Sequence, residues 1–204
     1  NGDGDYLDNG ETGATDWQWQ AIGPETKNGN TGSSAITVVT GDYVLTETNK
    51  PNFHQVSLNC IGGTLINNTV TITKGSNVVC TFINARDVGS LTAHKFEDDN
   101  FDKVQQADTE NNLSNWEMSL YSGNMCVGET LAVITTDSMG NANFGNLATG
   151  TYSVKETLQN GWRNSTSICQ SITITKDTHS TIIFGNQKLA KIIIEKQTLP
   201  DESS

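Results

Sequence analysis

Charged side chains are scarce in this sequence of 204 residues, only 17%, and they lean to one sign, with 12 Lys or Arg against 23 Asp or Glu. The formal net charge is −11 and there is no basic patch to neutralise phosphate, which argues against a nucleic-acid partner. No window carries an apolar period of 3.6, so amphipathic helices are not expected. No apolar run approaches the roughly 20 residues that a membrane-spanning helix needs. A secretory signal is missing as well, so any targeting peptide was removed or lies outside this chain. GxSxG, HExxH and phosphate-loop motifs are all absent, and His54, His94 and His179 are scattered, so no convergent set for enzymatic turnover is expected. None of the four cysteines forms a CxxC pair, which speaks against zinc.

What is present is Asn, Thr, Gly and Ser in abundance, a composition suited to short strands and turns. In such a chain the isolated Cys60, Cys80, Cys126 and Cys169 point to an oxidising compartment and two disulfides, against the alternative of four buried thiols. Cys60–Cys80 would clamp two late strands of one module, and Cys126–Cys169 would tie a mid-module segment to a later strand. Sequons at Asn67, Asn112 and Asn164 arise readily by chance in this composition and say little about glycosylation.

The sequence repeats itself. GDYVLTETNKPNF (Gly41 to Phe53) matches GTYSVKETLQNGW (Gly150 to Trp162), and Cys60 and Cys169 follow at equal spacing from Glu47 and Glu156. Upstream, Glu11 and Trp17 match Glu110 and Trp116; downstream, Asn84 matches Asn186. Anchors in the same order define two copies of one module. Period-two alternation places Leu91, Ala93 and Lys95 on one strand face, Tyr152, Val154 and Glu156 on another, and Ile182, Phe184 and Asn186 on a third. Module one repeats this with Tyr43, Leu45 and Glu47 and with Cys80, Phe82 and Asn84. About seven short strands per module, separated by Gly/Asn/Asp turns, indicate an all-β sandwich. The recurrence of Trp17 and Trp116, and of Phe53 and Trp162, favours core packing over an exposed aromatic binding patch.

Lys95, Glu156 and Asn186 therefore all face one core, and burying an unpaired charge is costly. A hydrogen-bonded Lys–Glu ion pair is one explanation. The other is chemistry: desolvation lowers the lysine pKa and raises that of the glutamate, so a neutral amine can attack the Asn186 carbonyl with Glu156 relaying protons. Ammonia leaves and an isopeptide bond remains.

GSLTAHKFEDDN, TTDSMGNANFGNLATGTYSVKETLQNGW and STIIFGN resemble the Cna-B/SdrD-type B domains, prealbumin-like β-sandwich modules of bacterial surface adhesins and pilins. The resemblance covers essentially the whole chain, although Ser138 and Met139 interrupt the family's Asp-Gly pair. It implies two tandem immunoglobulin/prealbumin-like β-sandwiches, at 1–86 and 87–188, and an orphan C-terminal strand within 189–204. It also implies a crosslink between Lys95 and Asn186 with Glu156 as catalyst. In module one Glu47 and Asn84 stand in the matching places, without the lysine. The implied setting is extracellular, as part of a surface fibre or stalk. A structural role is expected, with an adhesive or carbohydrate-binding module as the competing reading.

The loop after Lys95 alternates Asp98, Asn100 and Asp102, with Glu110 further on, a pattern of oxygen ligands that suits Ca²⁺. Asn1, Asp3 and Glu11 align with Asn100, Asp102 and Glu110. The resemblance likewise implies calcium; Lys103 in place of the usual loop glycine, and a solvated acidic turn as the simpler reading, stand against it. Finally, Ile192, Ile194 and Lys196 alternate as Leu91, Ala93 and Lys95 do. The tail thus reads as a lysine-bearing first strand. It belongs either to a further module of a longer array or to module one of a neighbouring copy, where Lys196 would meet Asn84. Expected partners are copies of the chain or adjacent modules, with no membrane span.

Overall fold

The computed structural model describes residues 16–30 and 35–197, and every regular element among them is a strand. Two compact units share the chain, 1–88 and 89–204. The first holds β1 (Gln18–Ile22), β2 (Thr26–Asn30), β3 (Gly41–Glu47), β4 (Phe53–Ile61), β5 (Thr64–Ile66), β6 (Thr69–Ile72) and β7 (Val79–Arg86). A five-stranded sheet ordered β2-β1-β3-β6-β5 accompanies a two-stranded β4-β7 sheet. Among the described residues its core cluster gathers the buried Ala21, Tyr43, Leu45 and Val70, with Leu58, Cys60, Cys80 and Phe82 partly covered against it.

The second unit holds β8 (Val88–Glu97), β9 (Glu117–Ser122), β10 (Thr130–Thr135), β11 (Asn141–Ala148), β12 (Gly150–Glu156), β13 (Trp162–Asn164), β14 (Cys169–Ile174) and β15 (His179–Lys188). Two four-stranded sheets, β10-β9-β12-β14 and β11-β8-β15-β13, face one another. Alternating side chains from both fill a continuous core that includes Leu91, Ala93, Met118, Leu120, Val154 and Phe184. Full burial of each such side chain contributes about 1.5–3 kcal/mol. β8 and β15 run parallel, with Phe184 opposite Lys95 and Asn186 opposite Glu97. Gly140 makes the approach to β8 possible: its φ is +75°, Lys95 N donates to its carbonyl at 2.7 Å, and any Cβ there would collide with the Lys95 carbonyl.

Strict in–out alternation fails at several places, three of them for a visible reason. Phe96 points away from the core yet is fully buried, because the Ser165 turn and Gly185 close over its ring. Ser153 is buried on the outer face of β12, where Cys126 N donates to its hydroxyl at 2.9 Å and the Cys126–Cys169 disulfide straps the loop down. His94, on the strand face opposite to Lys95, is half-buried between Asn141 and Gln105, 2.8 Å from each. In the tail, residues 189–197 are exposed and form no strand, and no ladder partner reaches them among the described residues.

Candidate functional site

β8, β12 and β15 bring Lys95, Glu156 and Asn186 together inside the second sandwich. Period two aims all three inward, and the parallel β8–β15 ladder sets their height. Lys95 Nζ lies 3.2 Å from Glu156 Oε2, with both side chains shut off from solvent. It also donates to the Phe184 carbonyl at 3.0 Å and sits 4.5 Å from the centroid of the Trp116 ring. Asn186 Nδ2 donates to the same Glu156 oxygen at 3.3 Å. From the backbone side, Asp98 N donates to the Asn186 carbonyl at 2.8 Å and pins the end of the ladder.

Burial pushes the Lys95 amine down to about 8, against the opposing pull of Glu156 and, more weakly, Asp98. Burial likewise pushes Glu156 up, with Lys95 and Asn186 opposing. Both shifts favour neutral forms. Two buried atoms of the site have no hydrogen-bond partner: Glu156 Oε1 and Asn186 Oδ1. An ionised carboxylate only accepts, so it has nothing to offer an amide oxygen. A protonated Glu156 does, once the Asn186 amide turns its oxygen toward it, and it would then polarise that carbonyl. Trp116 was legible as core from its repeat position, but its role as the wall beneath Lys95 was not; neither was the Phe184 carbonyl, since backbone groups carry no sequence signature.

In the first unit Asn84 Nδ2 donates to Glu47 Oε2 at 3.0 Å, the same pairing as Asn186 and Glu156. Both residues are half-buried, and burial raises the Glu47 pKa while its bond to Asn84 opposes. No ion pair reaches Glu47 among the described residues. Lys50 rests 5.0 Å from the centroid of the Trp17 ring. The aromatic pair is reproduced in each unit: Trp17 against Phe53 at 5.7 Å and Trp116 against Trp162 at 5.6 Å, both edge-on.

All four cysteines are paired, as Cys60–Cys80 and Cys126–Cys169, with Cα separations of 4.1 and 6.1 Å. Cys60 and Cys169 occupy equivalent repeat positions but not equivalent strands. β4 is one strand along β7, with a register shift between Gln55 and Ser57, and puts Cys60 opposite Cys80, whereas the corresponding stretch of the second unit splits into β13 and β14.

In the loop after β8 the carboxylates expected to face Ca²⁺ accept backbone N–H groups of the loop itself. Asp98 accepts backbone N–H from Asp102 and Lys103 at 3.0 and 2.9 Å. Glu110 accepts N–H from Asp99 and Gln106 at 2.9 Å each. Asp102 caps Val104 N and receives the Asn100 amide. Each of these Asp98 and Glu110 oxygens accepts one backbone N–H, and among the described residues no group of three or more acidic, His or Cys side chains is clustered as a metal set. Asn1, Asp3 and Glu11 lie outside the described residues.

Residues 5–82 match a family model described as a prealbumin-like fold domain (SpaA_2), and residues 100–188 match a second with the same description (SpaA). No curated protein sequence matches the chain. Among solved structures, the chain is similar to the Bacillus anthracis TIE protein, at 19% identity and a TM-score of 0.51, covering 88% of this chain and 32% of that one. It is also similar to a C-terminal fragment of the pilus adhesin SpaC from Lactobacillus rhamnosus GG, at 15% identity and a TM-score of 0.50, covering 87% and 91%. The minor pilin GBS52 of Streptococcus agalactiae aligns over 89% of this chain and 85% of its own, at 13% identity and a TM-score of 0.41. With one family match in each compact unit, the chain belongs to the prealbumin-like fold domains and carries two of them in tandem.

Proposed function

We propose that this chain is a structural segment of an extracellular fibre or stalk, built to carry tension, its second module locked by an isopeptide bond between Lys95 and Asn186. The observation that carries this reading is the sealed Lys95–Glu156–Asn186 set, with two acceptor atoms left unpaired while Glu156 is ionised. Moving one proton from Lys95 to Glu156 gives a neutral amine and a neutral acid. The Lys95 nitrogen attacks the Asn186 side-chain carbonyl carbon, whose oxygen is held by the Glu156 hydroxyl. Glu156 then shuttles the amine proton to the departing amide nitrogen. One C–N bond forms, one breaks, and ammonia leaves. The reaction happens once per molecule, so it matures the fold and is not enzymatic turnover.

The two disulfides fit an oxidising, extracellular setting. The pilus adhesin fragment with the same fold comes from a surface appendage, and we carry that setting to this chain. On this reading its partners are further copies of itself or adjacent modules of a longer chain, joined head to tail through the lysine-bearing tail. Intact mass spectrometry of the reduced protein tests the crosslink: the expected mass falls short of the sequence mass by one ammonia, with Lys95 and Asn186 in one branched peptide. A full sequence mass would overturn it.

A further inference from the structure

The two modules differ in how far their second sheet is built. In the second unit β15 lies between β13 and β8. In the first, β7 has β4 on one side, and no strand borders its other edge among the described residues. That edge leaves backbone N–H and C=O groups available for pairing. It also leaves Cys80 and Phe82 only partly covered, whereas their repeat counterparts Ile182 and Phe184 are buried under β8. The Glu47–Asn84 pair stands at the same edge, hydrogen-bonded like its counterpart, with no ion pair to a lysine among the described residues.

The chain holds one described segment with the complementary pattern. Ile192, Ile193 and Ile194 are 84–85% exposed, and Lys196 follows at the spacing that Lys95 keeps from Leu91 and Ala93. Resting on the crosslinking reading above, we infer that the edge of β7 is an acceptor site for the tail of a second copy, which adds as a parallel strand and is ligated through Lys196. The β8–β15 ladder supplies the register. Lys95 opposes Phe184, so Lys196 opposes Phe82; Ala93 opposes Ile182, so Ile194 opposes Cys80; and Ile192 falls opposite Val78. This register turns Ile192, Ile194 and Lys196 inward onto the uncovered side of the Tyr43–Leu45 core and leaves Ile193 outside. A shift of one residue would point Lys196 into solvent, so the Glu47–Asn84 pair selects both lysine and register. The Lys196 nitrogen then attacks the Asn84 side-chain carbonyl, Glu47 carries the proton to the amide nitrogen, and ammonia leaves. Donor and acceptor patches differ, so the contact is heterologous and propagates.

The test uses the full chain, concentrated at neutral pH, reduced, boiled in SDS and resolved on a gel, with the bands digested for mass spectrometry. The expected result is a ladder of subunit multiples containing a branched Lys196–Asn84 peptide. Lys196→Arg, a change in an exposed segment that leaves the fold alone, should remove the ladder, and so should Glu47→Gln; Glu156→Gln should not. A synthetic peptide spanning residues 189–197 should cap the multiples by attaching to Asn84. Monomer alone, with the Lys95–Asn186 peptide present, overturns this inference and leaves the crosslinking reading standing; monomer with neither branched peptide overturns both. A link from Asn84 to Lys50, or a ladder that survives Lys196→Arg, overturns the assignment of the tail.

Discussion

Glu156→Gln is the sharpest perturbation of the second module, because it keeps the side-chain volume and removes only the group that handles protons. The glutamine amide cannot accept the lysine proton, so the amide of Asn186 stays intact. The thermodynamic consequence follows from the loop the bond closes. Lys95 and Asn186 sit at opposite ends of the module's sequence, and tying off a loop of about 90 residues restricts the unfolded chain by roughly 4.5 kcal/mol. For a domain of this size each kcal/mol moves the melting temperature by about 4–8 °C, so the variant should melt roughly 20–35 °C lower. A second cost adds to this. In the variant Lys95 is a buried free amine without the counter-charge that lies 3.2 Å away before crosslinking, and an amine already pushed down to about 8 by burial sheds its proton on folding. Scanning calorimetry should resolve the effect as a shift of one transition with the other in place, since module one contains neither residue. The intact mass of the reduced variant should equal the full mass of its sequence, with no ammonia lost. A mass deficit of one ammonia that persists in Glu156→Gln, or a melt within about 5 °C of the parent protein, would refute the reasoning.

Crosslinking during refolding should run only while the Lys95–Glu156 pair shares one proton: it should slow as pH rises past about 8, where that proton is lost, and slow again in acid, at a limit raised above the ordinary carboxylate range by the burial of Glu156. Quenched refolding at graded pH checks this, and a rate still climbing at about pH 9 contradicts it. Replacing Cys126 and Cys169 by Ser should cost about 4 kcal/mol in denaturant titrations and release the loop from Ser153, while the shorter Cys60–Cys80 loop should cost about 3 kcal/mol. Gly140→Ala should destabilise module two by about 2–3 kcal/mol, because the new methyl collides with the Lys95 carbonyl at a positive φ. Adding Ca²⁺ or EDTA should shift the melt of module two by less than about 2 °C, since saturating binding would add several kcal/mol and the oxygens of Asp98 and Glu110 are already engaged by backbone amides.

The legible part of this protein was what period two and the repeat dictate. Leu91, Ala93 and Lys95 share a face because strands alternate, and the opposing sheet with Met118, Leu120 and Val154 buries that face. The Trp116–Trp162 contact and the Asn84–Glu47 pair were readable because each has a counterpart at the same spacing. What escaped sequence reading came from loops folding over outer sheet faces. Phe96 and Ser153 look solvent-facing by parity and are buried by segments far away in sequence. The backbone bonds of the 98–110 loop were not legible either. A carboxylate spaced to meet a cation is equally well spaced to meet a backbone N–H two to five residues on, and no side-chain pattern distinguishes the two. For the tail, alternation states which face a strand would present, not where its partner lies.

The placement of the Lys95–Asn186 pair bears directly on how the module would carry load. β8 is the first strand of the unit and β15 the last, and they are parallel neighbours. Tension entering along β8 and leaving along β15 therefore pulls the two strands past each other and loads their ladder in shear. A covalent bond between Lys95 and Asn186 would take that tension across a single side-chain bridge. The residues between them, with β9 to β14, the Cys126–Cys169 disulfide and the whole sandwich core, would then lie outside the path of the force. The module would not need a deep stability reserve to resist extension; it would need only the bond, formed once. A bond between these two strands would serve this purpose where others would not: a crosslink between any inner pair would leave part of the fold in series with the load. If β7 receives a lysine-bearing strand in the register argued above, module one acquires the same path, with Lys196 and Asn84 as the bridge and the Cys60–Cys80 disulfide fastening β7 to β4 beside it.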